Sequence, residues 1–409
     1  MLLLPTTTYR AHDFLEAARR LGVESTVGSE RRQAFEGLQP AGTLTVDIAS
    51  PAKAADQIVR FALTRPLRAI VPTDDATAVV AAEAASRLGM PHNPPAAAGI
   101  AGRKDLLRTR LQDAGVRTPR HRVHEVRADE AAAAREAPYP CVLKPLFLSG
   151  SRGVIRADTP VEFASAFCRI RDLLARPEIR EKDPEAARGI LVEEFAPGAE
   201  VALEGLLSGG RLKVLAIFDK PDPLDGPFFE ETIYVTPSRL PAGARRRLVR
   251  SAAAAARAVG LVEGPIHAEL RVDGEEVTVI EMAARSIGGL CSRALRFGTG
   301  RSLEELILMH ALGRDVARLE RERRPSGVMM IPIPRAGTLR EVRGLGEARA
   351  VPGIVDLSIS ATLGRPLVPL PEGSSYLGFL FARGSRPDEV EEALREAHRR
   401  LEFIIEDRE

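Results

Sequence analysis

The first hundred residues alternate short apolar runs with longer amphipathic stretches. Leu2 to Leu4 reads as a strand, Asp13 to Leu21 as a helix, Thr43 to Asp47 as a strand, Ala52 to Leu63 as a helix and Ala69 to Val71 as a strand. Strands separated by helices predict an open parallel α/β unit over residues 1–100. Pro72-Thr73-Asp74-Asp75 closes a strand as a substrate-facing loop, and Asn93-Pro94-Pro95 reads as a linker. Further on, Gly102-Arg103-Lys104-Asp105 opens a helix through Leu106, Leu107 and Leu111, and Cys141-Val142-Leu143 and the run from Ile190 are apolar strands. The charged, alanine-rich stretch from Arg176 to Arg188 reads as an exposed connection. Leu303 to Leu312 is a helix, and the charge-rich Arg318 to Pro325 is a boundary. Val328 to Ile333, Ile354 to Ile359 and Gly378 to Phe381 are strands, and Asp388 to Leu401 is an amphipathic helix. A chain of 409 residues accommodates two to three domains, which the pattern places at 1–100, 101–315 and 320–409.

One stretch carries chemistry. In His267 to Gly289, an alternating segment holding Glu269 leads through Asp273-Gly274 into a strand, Val277 to Glu281. A two-residue turn at Asp273-Gly274 would pair Glu269 with Thr278 and send Glu281 to the opposite face. A three-residue turn, Val272-Asp273-Gly274 with Gly274 left-handed, pairs Glu269 with Val277 and brings Glu281 to the same face; this is the predicted register. Two such carboxylates, without a Cys or His cluster, suit a hard cation such as Mg2+ that also takes phosphate oxygens. Arg285 is a fork for an oxyanion, and Ser286 to Gly289, including Gly288 and Gly289, could open a helix whose amides face an anion. A surface hairpin with solvated acids is the plain alternative.

Only six of the 58 basic residues are lysines. Lys144 ends the strand from Cys141, and the loop Ser149-Gly150-Ser151-Arg152-Gly153 follows. A strand-end ammonium beside a Gly/Ser loop can grip phosphate, and an ordinary turn would look the same. The third element is ILVEEFAPGAE, Ile190 to Glu200, an apolar strand that runs into Glu193, Glu194 and Phe195, turns at Pro197-Gly198 and reaches Glu200.

That last pattern resembles the hinge of the ATP-grasp superfamily. The resemblance implies that Glu193 lies by the adenine amine, that the Glu194-Phe195 backbone meets the adenine edge, and that Glu200 holds the ribose hydroxyls. It implies further that Lys104 and Lys144 grip the α- and β-phosphates, that the loop with Gly150, Ser151 and Gly153 closes over the nucleotide, and that Glu269 and Glu281 bind metal. One departure stands out: the usual pattern after the second acid is Glu-x-Asn-x-Arg, whereas here Glu281 and Arg285 flank Ala283, which cannot coordinate. The resemblance runs over roughly 102–300 and implies an α+β ATP-grasp domain of two lobes, preceded by the parallel unit and followed by a small α+β domain.

Within the superfamily the chain resembles the L-amino-acid ligases. The segment Asp225 to Tyr234 is similar to their substrate loop, with Glu231 and Tyr234 at the pocket positions and Tyr234 where a histidine is usual. An ordinary loop is the alternative. His267 reads as a satisfied strand residue before a catalyst, and Lys220 either reaches the γ-phosphate or lies on the surface. The implied reaction uses ATP and Mg2+, or Mn2+ in its place, to turn a carboxylate into an acyl phosphate that an amine attacks. Arg285 would hold the carboxylate and then the oxyanion. Other ATP-grasp chemistries, such as biotin-carboxylase-like or purine-pathway enzymes, share the nucleotide residues, and a non-catalytic nucleotide sensor is the other rival.

Composition changes this picture little. A net charge of +2 from 58 basic and 56 acidic residues gives no cause to expect nucleic acid or an anionic membrane as a partner. The three cysteines lie far apart, without metal spacing, and no apolar run approaches the roughly 18 residues of a membrane span. The expectation is a cytoplasmic enzyme acting on a small-molecule carboxylate, an amino acid, and an amine, as a homodimer like many relatives.

Overall fold

A computed structural model describes residues 1–6, 8–31 and 42–407 of the chain, and among them there are four sheets. In the first, Leu2–Leu3 lies between Val27–Ser29 and Val71–Pro72, with Thr43–Thr45 outside, and all pairs are parallel. Helices Pro51–Thr64, through Ile58, and Asp75–Arg87 close over Leu3, Val46 and Ile70, as the α/β pattern requires. The loop after Val71–Pro72 has a definite local cause. The Asp74 carboxylate accepts from the Thr77 N–H at 2.9 Å, and the Thr77 hydroxyl oxygen accepts from the Asp74 N–H at 3.1 Å, so a capping box starts the helix there. Asn93 is not part of a free linker. It is buried, its side-chain oxygen accepts from the N–H groups of Val262 and Glu263, and a helix, Pro95–Ala101, begins two residues later.

The second sheet is antiparallel, in the order His121–Glu125, Gly189–Glu194, Cys141–Pro145, Ile155–Ala157. Phe163, Phe167 and Ile170 of helix Pro160–Ala175 pack on it. The segment predicted as an exposed connection instead holds two short helical turns, Pro177–Arg180 and Ala186–Arg188, tacked down by buried Ile179, Ala186 and Ala187.

The largest sheet has eight antiparallel strands, in the order Glu276–Ala283, Gly264–Asp273, Ala199–Ser208, Arg211–Asp219, Ile233–Thr236, Ser326–Ile331, Gly378–Arg383, Ile354–Ile359. The last three follow the predicted boundary at Arg318 to Pro325, yet they extend the same sheet. Side-chain alternation divides its faces. Val201, Leu203, Ile266, Ala268 and Leu270 pack beneath helix Ala242–Val259, whose Ala252, Ala255 and Ala256 allow close approach. Glu200, Glu204, His267, Glu269 and Arg271 fall on the opposite face. A three-stranded sheet, Pro366–Leu367, Gly337–Arg343, Glu402–Glu406, lies beside the C-terminal strands.

The hairpin brings its acids together by a different route from the one predicted. Glu269 pairs with Glu281, not with Val277, which faces Val272, and the turn residues are Gly274 and Glu275. Gly274 is left-handed, with φ 56°. A regular ladder from that turn would place Glu281 opposite Ala268 and on the wrong face. The register slips between Glu269 and Leu270, so Ile280 is an extra residue, and this bulge returns Glu281 to the face of Glu269. Ser286 to Gly289 do not open an α-helix either; a 3-10 turn, Cys291–Ala294, follows them.

Gly198 turns the hinge strand toward Glu200 with φ 96°, and a Cβ there would lie 2.3 Å from the Val272 carbonyl oxygen. Gly198→Ala is therefore expected to destabilise the chain by roughly 1–3 kcal/mol in denaturant unfolding. Gly209→Ala, left-handed but with nothing within 4 Å, should cost only about 1 kcal/mol.

Candidate active site

The faces of the first three sheets and the C-terminal segment converge on a cleft of about 300 Å3. Lys104, Lys144, Gly150, Ser151, Glu193, Phe195, Glu200, Glu231, Tyr234, Glu269, Glu281, Arg285, Gly288 and Gly289 all line it. Glu194 and Gly153 do not. The Glu194 carboxylate turns outward to accept from the Arg120 side chain at 2.9 Å, and Gly153 is a packing turn whose added Cβ would meet Pro145 at 2.7 Å. The Glu194 N–H donates to the Arg120 carbonyl and the Phe195 N–H to the Pro140 carbonyl, so neither is open to an adenine ring. Ala196, the next residue, lines the cleft and offers the first backbone edge beyond those two.

Acids and cations alternate across the cleft. The Lys220 ammonium donates to Glu200 at 2.8 Å, Glu231 at 2.5 Å and Glu269 at 2.9 Å. Lys220 is buried, so the surface placement left open by the sequence does not occur. Burial opposes its charge, but the three carboxylates outweigh burial and hold its pKa well above the ordinary value. Arg271 donates to Glu200 at 3.0 Å and lies over the Phe195 ring, 5.1 Å from its centroid. The Tyr234 hydroxyl donates to Glu231 at 2.7 Å. Burial, and next the Glu269 charge, push the Glu231 carboxyl up to about 7.

His267 bridges Glu204, through a short contact at Nδ1, and Glu269, at 3.2 Å from Nε2. Glu204 also accepts from the Ile287 N–H at 3.1 Å, which fixes the start of the Ser286 to Gly289 turn. Arg285 donates to Asp75 at 2.9 Å, tying the parallel N-terminal sheet to the cleft; burial would lower its pKa, but Asp75 raises it. Cys291 also lines the cleft, and burial pushes its thiol pKa upward, which makes it a poor thiolate nucleophile.

Carboxylate oxygens of Glu200, Glu231 and Glu269 lie within 4.8 Å of one another. The donors are all oxygen, as a hard divalent cation requires, but here the Lys220 ammonium holds all three, so a metal would take them only as that ammonium gives way. Glu281, the cross-strand partner of Glu269, is not in that group of carboxylates; the Lys104 ammonium lies 4.0 Å from it, and Ala283 faces His267 across the hairpin. The sequence reading missed Glu204, Arg271, Asp75 as the Arg285 partner, and Arg108, which is wholly buried behind the cleft. Glu204 was accessible to it: spaced four from Glu200 on one strand, it shares that face.

Three family models match in chain order. The ATP-grasp N-terminal domain matches residues 15–92, the ATP-grasp domain 137–294, and the L-amino acid ligase C-terminal domain 2 residues 329–406. The chain belongs to the ATP-grasp superfamily. Within it, the chain is similar to the L-amino acid ligases: the crystal structure of L-amino acid ligase from Bacillus licheniformis superposes with a TM-score of 0.82 at 26% identity, over 99% of this chain and 98% of that one. Alanine–anticapsin ligase of Bacillus subtilis (strain 168) is 27% identical over 274 residues, 64% of this chain and 57% of that protein. Human (Homo sapiens) carnosine synthase 1 is 29% identical over 224 residues, 53% of this chain and 27% of that protein. The chain thus spans about half the length, or less, of the curated relatives it matches. Phosphoribosylglycinamide synthetase from Anaerococcus prevotii, at 15% identity and a TM-score of 0.70, shares the fold. No helix among the described residues is long and apolar enough to cross a membrane.

Because Glu204 and Glu269 outweigh burial, His267 is raised from its ordinary 6.5 to about 10. Its stabilising contribution is fully present below pH 6.5 and is lost as pH rises through about 10. The thermal midpoint of the intact chain should therefore fall more steeply over that window than the midpoint of His267→Gln, read by calorimetry across pH.

Proposed function

We propose that this protein is an ATP-dependent ligase that joins the carboxylate of one amino acid to an amine, forming an amide or dipeptide bond and releasing ADP and phosphate. The observation that carries the reading is the convergence, on one cleft, of two lysines beside a Gly/Ser loop, the cross-strand pair Glu269 and Glu281, and the buried Arg285.

In this reading adenine slides beside Phe195 and Ala196, Glu200 meets the ribose hydroxyls, and Lys104 and Lys144 take up phosphate charge. Mg2+, or Mn2+ in its place, held by Glu269 and Glu281 with Glu200 or Glu231 nearby, would neutralise the transferring phosphoryl group. The substrate carboxylate oxygen takes the γ-phosphoryl group and ADP leaves. The amine nitrogen then attacks the acyl carbon and loses a proton, and phosphate departs. Arg285 holds the carboxylate and then the oxyanion. Glu231, Tyr234, Gly288 and Gly289 shape the pocket for the acyl side chain. The wider proposal is a cytoplasmic homodimer acting on small molecules and not on nucleic acid, with the chain divided near residues 100 and 315–320.

Phosphate release from ATP is to be measured across pairs of amino acids, each also alone, with mass analysis of the products. A new mass equal to two substrates minus water establishes the ligase. ATP hydrolysis that depends on bicarbonate and needs no amino acid sinks the proposal. Glu281→Gln should lower turnover on the order of 100-fold or more while the chain stays folded; retained turnover overturns the metal assignment.

A further inference from the structure

Behind the cleft lies a charged triad whose inner member, Arg108, has no part in the reaction proposed above. Arg108 is fully buried on helix Lys104–Asp113, one turn after Lys104, and does not line the cleft. Its Nε donates to one oxygen of Glu193 at 2.9 Å, and the other oxygen of Glu193 contacts the Lys144 ammonium. Among the described residues the two outer guanidinium nitrogens of Arg108, both buried, have no hydrogen-bond partner. A buried ion pair with donors left unsatisfied is a poor stabiliser, and an apolar pair of similar volume would often serve stability as well. Structural need alone is therefore a weak reason for a charge at this position.

We propose that Arg108 is a positioning residue for nucleotide binding: it neutralises Glu193, so that the charge of Lys144 is not spent on that carboxylate and one net positive charge is left to meet a phosphate group. This rests on the ATP reading above. The geometry supplies the reason. Val142 pairs with Glu193 across the sheet, so Lys144, two residues on, shares the Glu193 face, and without a second cation the two would close into a neutral pair. With Arg108, two cations share one carboxylate and the triad carries one net positive charge. Burial pulls the Lys144 pKa down, Glu193 opposes this, and Arg108 adds to the downward pull, as expected for an ammonium left wanting a further anion.

The test is the binding of ATP with Mg2+ to the full chain, by calorimetry, together with separate KM values for ATP and for both organic substrates. Arg108→Met should weaken ATP binding on the order of 10- to 100-fold and leave the KM of the organic substrates within about twofold. Arg108→Lys, which keeps the charge, should stay within a few-fold of the parent in ATP affinity, whereas a purely structural guanidinium would leave it as weak as Arg108→Met. Unchanged ATP affinity in Arg108→Met, or Arg108→Lys weakened about 10-fold or more, overturns the proposal, and the second outcome decides if Arg108→Met does not fold. A parent chain that does not bind ATP at all overturns the ligase reading and this one with it, a result distinct from either of those.

Discussion

Four carboxylates, Glu200, Glu204 and Glu269 from one face of an antiparallel sheet and Glu231 from the loop before Ile233–Thr236, are gathered together and largely removed from water, and everything around the cleft is arranged to make that tolerable. Isolated buried carboxylates are expensive, and several together repel. Lys220, Arg271 and His267 supply three cations to the four acids. The balance stays negative, and Glu231 absorbs part of it by holding its proton to about pH 7. An environment short of one positive charge, walled by carboxylate oxygens, is suited to receive a cation.

The opposite wall has the opposite sign. Lys104, Lys144 and Arg285 stand there, Lys104 near Glu281, Lys144 on Glu193 and Arg285 on Asp75, and Arg108 behind Glu193 makes four cations to three acids. A ligand carrying phosphates on one end and meeting a cation at the other would satisfy both walls, and neither wall alone would discriminate it from a simple anion or metal. The Asp75 contact also means that the first sheet is more than a preceding unit: its capped loop supplies the counter-charge for an arginine that sits more than two hundred residues later.

Backbone irregularity places these charges as much as residue type does. The extra residue at Ile280 turns Glu281 back toward Glu269, and left-handed Gly198 brings the hinge round to Glu200 under the Val272 carbonyl. The phosphoribosylglycinamide synthetase structure, only 15% identical to this chain, shares its course over 99% of its length, so the frame tolerates extensive change while such local devices set the site.

The alternation of apolar and polar residues determined the order of most strands and helices, because burial of one face imposes a period of two or about 3.6 on any sequence that folds this way. Spacing along single strands and turns likewise made Lys144, Glu200, Glu269, Glu281 and Arg285 visible, since each belongs to a short local pattern. The tertiary structure alone decided the register of the hairpin, because a bulge is a response to the neighbouring strand and leaves no local residue signal at Ile280. It alone decided that Lys220 is a buried counter-ion, that the Glu194 and Phe195 amides are taken up by the Arg120 and Pro140 carbonyls, and that Arg108 reaches Glu193 across 85 positions of sequence. Charge partnership between distant residues depends on distance and burial in three dimensions, and neither quantity is written in the order of the amino acids.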